Sequence, residues 1–176
     1  MDLELSDRVA VVTGGNKGIG LAITKALVAE GAVVVAGSLS TENLDGLDCV
    51  MAVPVDLLAA DGPARLVQKA LDEHGRIDVL VNNVGAVRIR VDGFLATSDE
   101  EFEWALKMNF FTGLRATRAA LGPMLERGSG SIVNVPRSTR SSIRTPPPRL
   151  RRGQGRGGEP EQVAVTGIRG LLVIWG

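Results

Sequence analysis

No tyrosine occurs anywhere in the 176 residues, and the chain has one cysteine and one histidine. One cysteine cannot close an internal disulfide. Cys49 lies in an apolar stretch and is expected to pack rather than react. His74 stands just before Gly75, where a helix should end and where a cation meets the helix's negative pole. A ligand or catalytic role is not expected of it. No apolar run approaches the roughly 18 residues that would cross a bilayer. Met1-Asp2-Leu3-Glu4 is acidic where a secretory signal would be basic. These shortages predict a cytoplasmic protein with no membrane partner and no metal centre.

The charge is balanced overall, at 20 basic and 20 acidic residues, but unevenly placed. Residues 1–135 carry 12 basic and 18 acidic side chains, a net of −6. Residues 136–176 carry 8 arginines, no lysine, no aspartate and 2 glutamates, a net of +6. That segment also holds 5 of the 8 prolines, with Pro146, Pro147 and Pro148 consecutive. The reading is one organised domain over 1–135 and an irregular Arg/Pro/Gly-rich tail over 136–176. Such a composition resists folding. Its arginines could bind phosphate polymers without specificity. No aromatic residues are interleaved with them for base stacking, so no specific nucleic-acid partner is expected. The apolar run Gly170–Trp175 is too short to span a membrane; it either packs on the sheet or promotes association.

The first part alternates strand and helix patterns. Arg8–Thr13 is a β-branched run ending in glycines, as a buried strand would be. Ile19, Ala22, Ile23, Ala26 and Leu27 recur at helical spacing and stop at Gly31. Ala32–Ala36, Val50–Val55, Ile77–Val81 and Ser131–Val135 read as four more strands. Leu66, Val67, Ala70 and Leu71 mark a helix closed by His74-Gly75. Ser98 with Glu101 is a capping box opening a long helix. Its expected inner face is Phe102, Leu106, Phe110, Gly113, Thr117 and Ala120. Strands apolar on both faces, separated by helices, predict an α/β fold with a doubly wound parallel sheet of Rossmann type. The sheet is expected to be truncated after the fifth strand, leaving that strand as an exposed edge.

Thr13-Gly14-Gly15-Asn16-Lys17-Gly18-Ile19-Gly20 joins the first strand to the first helix. Glycines there allow a tight turn and close approach to a pyrophosphate, which meets the free N–H groups of the helix. The second strand ends in Gly37-Ser38, with no acid until Glu42. NAD sites usually place an acid at this point for the ribose 2′-OH. A small hydroxyl beside the cation Lys17 suits a 2′-phosphate instead, so NADP is expected over NAD.

The glycine loop, with four other motifs in order, the last being Ser131–Val135 as the strand leading into the catalytic serine, resembles the short-chain dehydrogenase/reductase family over about Leu5–Val135. Asp56-Leu57 is similar to the pair that contacts the adenine ring. Asn82-Asn83-Val84-Gly85 resembles N-N-A-G, with Val in place of Ala. Asn109 matches the asparagine that anchors a water in the family's proton relay. The resemblance implies an NAD(P)-dependent oxidoreductase of small carbonyl or alcohol substrates. It implies cofactor contacts at Gly14, Asn16, Lys17, Gly18, Ile19, Gly20, Ser38, Asp56, Leu57, Asn82, Asn83 and Gly85, with Asn109 as the catalytic residue.

The remaining catalytic set of that family is a serine, a tyrosine and a lysine four residues after the tyrosine. This chain has no tyrosine, and its last lysine is Lys107. Pro136-Arg137 stand where the serine should follow Val135. The expectation is an oxidoreductase of this family that has lost its catalytic centre; the alternatives are a nucleotide-binding module without chemistry and an Arg-tail binder of acidic polymers. Codon degeneracy offers an origin for the tail. The last two bases of the Leu150 codon with the first of Arg151 can spell tyrosine, and the same offset at Gln154 can spell lysine. The peptide so concealed would read Tyr-Gly-Ala-Ala-Lys, and the matching serine codon, across Pro136 and Arg137, lies at a different offset that needs a second slip of the frame.

Overall fold

A computed structural model describes residues 3–88, 93–135, 164–168 and 171–175, the last two segments by backbone alone. The elements run β1 (Val9–Thr13), α1 (Gly18–Ala29), β2 (Val33–Ser38), β3 (Val50–Pro54), α2 (Gly62–His74), β4 (Val79–Asn82), α3 (Asp99–Leu106), α4 (Thr112–Arg127), β5 (Gly130–Asn134), β6 (Ala164–Ile168) and β7 (Leu171–Trp175). One sheet holds all the strands in the order β3-β2-β1-β4-β5-β7-β6. β1 to β5 are mutually parallel. The chain winds outward from β1 to β3, then returns to β4 on the other side. That reversal opens a crevice at the C-terminal ends of β1 and β4.

Side chains of a strand alternate between faces, and the core divides accordingly. Val11, Val35, Leu80 and Ile132 face Leu66, Val67 and Ala70 of α2 and Ala116, Ala120 and Met124 of α4. Ala10, Val12, Val34, Ala36 and Val81 face the other way, toward Leu21, Ile23 and Leu27 of α1. Each fully buried Leu, Ile or Val contributes about 1.5–3 kcal/mol. The five-strand parallel sheet with flanking helices is the architecture the sequence predicts. The capping box is formed at Ser98 and Glu101. α2 closes on Gly75 with φ 67°, directly after His74.

Four expectations are corrected. β5 is not an edge: β7 pairs with it in parallel, from Gly130↔Leu171 to Asn134↔Trp175, and β6 pairs antiparallel with β7. The apolar run at the C-terminus supplies that pairing, which satisfies the backbone groups an edge would leave open. The tail expected to be irregular over 136–176 thus holds β6 and β7, and its residues 136–163, 169, 170 and 176 lie outside the described residues. The long helix is not continuous: a π-helical turn over Lys107–Phe111 separates α3 from α4. Its extra residue rotates the apolar stripe by about 100°. Phe102, Leu106 and Phe110 are therefore 41%, 54% and 52% exposed, while Ala116 and Ala120 are fully buried. Ile19 leaves the α1 stripe and is exposed, because the buried start of that helix is Gly20. Cys49 does not pack inside; it is exposed, in the left-handed region at φ 60°.

At the opposite end of the strands from the crevice, a buried carboxylate ties the sheet together. Asp78 accepts the Val9 N–H at 2.9 Å and the Arg76 guanidinium at 2.5 Å. Arg127 stands 3.3 Å and Arg8 3.5 Å from it. Burial works against the charge on Asp78. The hydrogen bonds from Arg76 and Val9, with the charges of Arg76 and Arg127, outweigh it and hold the carboxyl below its ordinary value.

Candidate functional site

The crevice is a cleft of about 310 Å³ lined by Gly14, Asn16, Lys17, Ser38, Leu39, Ser40, Val55, Asp56, Leu57, Leu58, Asn83, Val84, Gly85, Ala86 and Met108. Eight of the residues singled out in the sequence therefore share one wall system: Gly14, Asn16, Lys17, Ser38, Asp56, Leu57, Asn83 and Gly85. Gly18, Ile19, Gly20, Asn82 and Asn109 do not line it.

The glycine loop owes its shape to backbone needs. Gly14 at φ 68° and Gly18 at φ 54° occupy the left-handed region that L side chains rarely adopt. Gly20 is demanded by proximity: a Cβ there would lie 2.0 Å from the Gly14 carbonyl oxygen. α1 begins at Gly18 with no side-chain cap and no acid in its first turn. Its first-turn N–H groups and positive pole have no side-chain cap and follow directly on Lys17 of the cleft lining.

Thr13 and Asn83 fasten the loop to the end of β4. The Thr13 hydroxyl donates to Val81 O at 3.3 Å and accepts the N–H groups of Asn83 at 2.9 Å and Val84 at 3.2 Å. The Asn83 amide donates to the carbonyls of Thr13 and Gly14, both at 3.1 Å. Thr13→Val keeps the shape and deletes every one of the hydroxyl bonds. It is expected to destabilise the fold by about 1–3 kcal/mol, because the buried Asn83 N–H and the half-buried Val84 N–H lose their acceptor. Urea unfolding monitored by circular dichroism measures it.

The other wall is set by side chains bonding to nearby backbone. Asp56 accepts the Leu58 N–H at 2.9 Å, which folds the turn after β3. A Cβ on Gly62 would lie 1.8 Å from the Asp56 carbonyl oxygen, so α2 can start this close only with glycine. The Ser38 hydroxyl donates to the Ser40 carbonyl. Its one proton is used there, so an anion at this wall meets Lys17 and backbone donors instead.

Asn82 lies behind the cleft, donating to Thr117 Oγ1 at 2.9 Å and Asn134 Oδ1 at 3.0 Å. Its own Oδ1 is buried with no partner. Asn109, on the π-helical turn, grips the Ala86 backbone: it accepts the Ala86 N–H at 3.0 Å and donates to the Ala86 oxygen at 2.9 Å. It acts on the cleft through Ala86. The lining residues not singled out from sequence are the neighbours of those that were. Leu39 and Ser40 follow Ser38, Val55 and Leu58 bracket Asp56-Leu57, and Ala86 follows Gly85. Position along the chain was the available signal for all of them, and Met108 beside Asn109 is no exception.

Comparison with known proteins agrees with this geometry. The family model described as short chain dehydrogenase matches residues 8–143. An uncharacterized oxidoreductase of Mycobacterium bovis is 38% identical over 139 residues, covering 74% of this chain and 55% of that protein. A 3-oxoacyl-acyl-carrier-protein reductase of Thermotoga maritima is 34% identical over 142 residues, covering 76% and 56%. The crystal structure of a short-chain dehydrogenase from Streptomyces avermitilis superposes with a TM-score of 0.67 at 39% identity, covering 73% of this chain and 49% of that one. The chain spans about half the length of the curated relatives it matches.

Proposed function

The chain belongs to the short-chain dehydrogenase family, whose members bind NAD(P), and from that premise we propose that its cleft holds NADP(H) without turning over a carbonyl substrate. The observation that carries the reading is the cradle at Gly14, Gly18 and Gly20. A Cβ on Gly20 would strike the Gly14 carbonyl, and the uncapped start of α1 follows directly on Lys17 of the cleft lining. A pyrophosphate fits that combination of close backbone and free N–H donors. Lys17 offers charge to a 2′-phosphate beside the Ser38–Ser40 wall, and β2 itself ends without the acid that would bind a free 2′-hydroxyl. Asp56 and Leu57 border the adenine end, and Asn109 holds the Ala86 backbone in line.

When bound, the cofactor supplies a hydride. Reduction of a carbonyl also requires a proton delivered to its oxygen, a contribution of roughly 10²–10⁴ in rate. The chain has no tyrosine to donate it and no lysine beyond Lys107 to assist. Asn109 is the one member of the family's catalytic set that remains.

Fluorescence titration with NADPH and NADH, alongside a carbonyl reduction assay, tests this reading. Tighter binding of NADPH with no turnover is expected. Turnover above background overturns the loss of catalysis, and equal or tighter binding of NADH overturns the cofactor preference.

A further inference from the structure

The connection from β2 to β3 is fixed at two points. Leu44 buries its side chain to 2% exposure in the core on the α1 face, and its N–H closes a turn on the Thr41 oxygen at 2.8 Å. One residue earlier, the Asn43 N–H donates to Asn16 Oδ1 at 3.0 Å. Asn16 belongs to the glycine loop, 27 positions away, and is only 7% exposed. That bond joins the two sides of the cleft: Lys17 follows Asn16 on one side, and Ser38, Leu39 and Ser40 lead into the connection on the other.

We propose that Asn16 is a positioning residue for cofactor selectivity, because its bond to Asn43 holds the Ser38–Ser40 wall at a fixed distance from Lys17. The proposal rests on the NADP(H) reading above. A 2′-phosphate needs the cation and the wall donors on opposite sides of one anion, so it feels the spacing between them. The contact at the heart of the pyrophosphate cradle does not pass through this bond: Gly14 and Gly20 are held by Asn83 and by their own close packing. Releasing the bond therefore penalises NADPH more than NADH. A residue that merely touched the part common to both cofactors would penalise them equally.

Asn16→Ala in the full chain is the test, read by fluorescence titration with both cofactors and by hydrogen exchange of the Asn43 amide. NADPH affinity is expected to fall about tenfold more than NADH affinity, the scale of one net hydrogen bond. The Asn43 amide should exchange faster. Should the alanine variant fail to fold, Asn16→Ser draws the acceptor back by one carbon while keeping a polar side chain, and the same selective loss is expected of it. Equal losses for the two cofactors, or an unchanged ratio, overturn the positioning role while leaving the parent reading standing. A wild-type chain that does not prefer NADPH removes the parent reading and this proposal with it.

Discussion

Gly20→Ala is expected to abolish dinucleotide binding, with NADPH affinity falling at least about 100-fold, or about 2.7 kcal/mol. The added methyl carbon would sit 2.0 Å from the Gly14 carbonyl oxygen and 2.5 Å from the Asn83 amide nitrogen. Neither neighbour is the free end of a flexible side chain. The Asn83 amide is tied to the Thr13 and Gly14 carbonyls, and Gly14 N is bonded to Gly37 O at 2.7 Å. The loop must therefore spread, and the pyrophosphate cradle spreads with it. Overpacking of this kind also costs about 1–3 kcal/mol of stability. Gly46→Ala is the matched control. Gly46 has φ 77° with no atom within 4 Å of a new Cβ, so only the strain of the left-handed backbone is expected there, with binding intact. Calorimetric or fluorescence titration of both variants, with circular dichroism to verify folding, separates the two effects.

Asp78→Ala is expected to destabilise the fold by about 2–3 kcal/mol without changing cofactor affinity in the molecules that remain folded. Removing one partner of a fully buried ion pair costs about 3–5 kcal/mol. The value here is lower because Arg8, Arg76 and Arg127 keep 43%, 34% and 32% of their side-chain surface in water. Loss of the acceptor for the Val9 N–H adds to the penalty. The same carboxylate gives a pH dependence. Its folded-state affinity for a proton is lowered, so its stabilisation is complete above the ordinary aspartate value near 3.8. The stabilisation fades as pH falls through the lower, folded value. Urea midpoints measured from neutral pH down to about pH 3 should fall more steeply for wild type than for Asp78→Asn.

The glycine loop, the Asn82–Gly85 turn and the five parallel strands were legible because each depends on local pattern. β-branched runs make buried strands, and glycine spacing makes the turn. Features that depend on a partner far along the chain were not. Nothing in the sequence around Asn43 marks its amide as bound to Asn16. Arg76 stands two residues from Asp78, but nothing around them announces Arg8 and Arg127 from distant segments. The face of the α3–α4 region was misread because a regular 3.6-residue period was carried across a turn that inserts an extra residue. The C-terminal run was legible as apolar but not as a strand partner of β5, since register between distant strands is set by the whole sheet.

The central claim is that the crevice at β1 and β4 is a dinucleotide site held open by the Gly14–Gly20 contact. Its most direct test is titration of the folded full chain with NADPH, beside Gly20→Ala under the same conditions. The account predicts saturable binding by the wild type and none by the variant. Folded wild-type protein that binds no NADPH, or a variant that binds as well as the wild type, would contradict it.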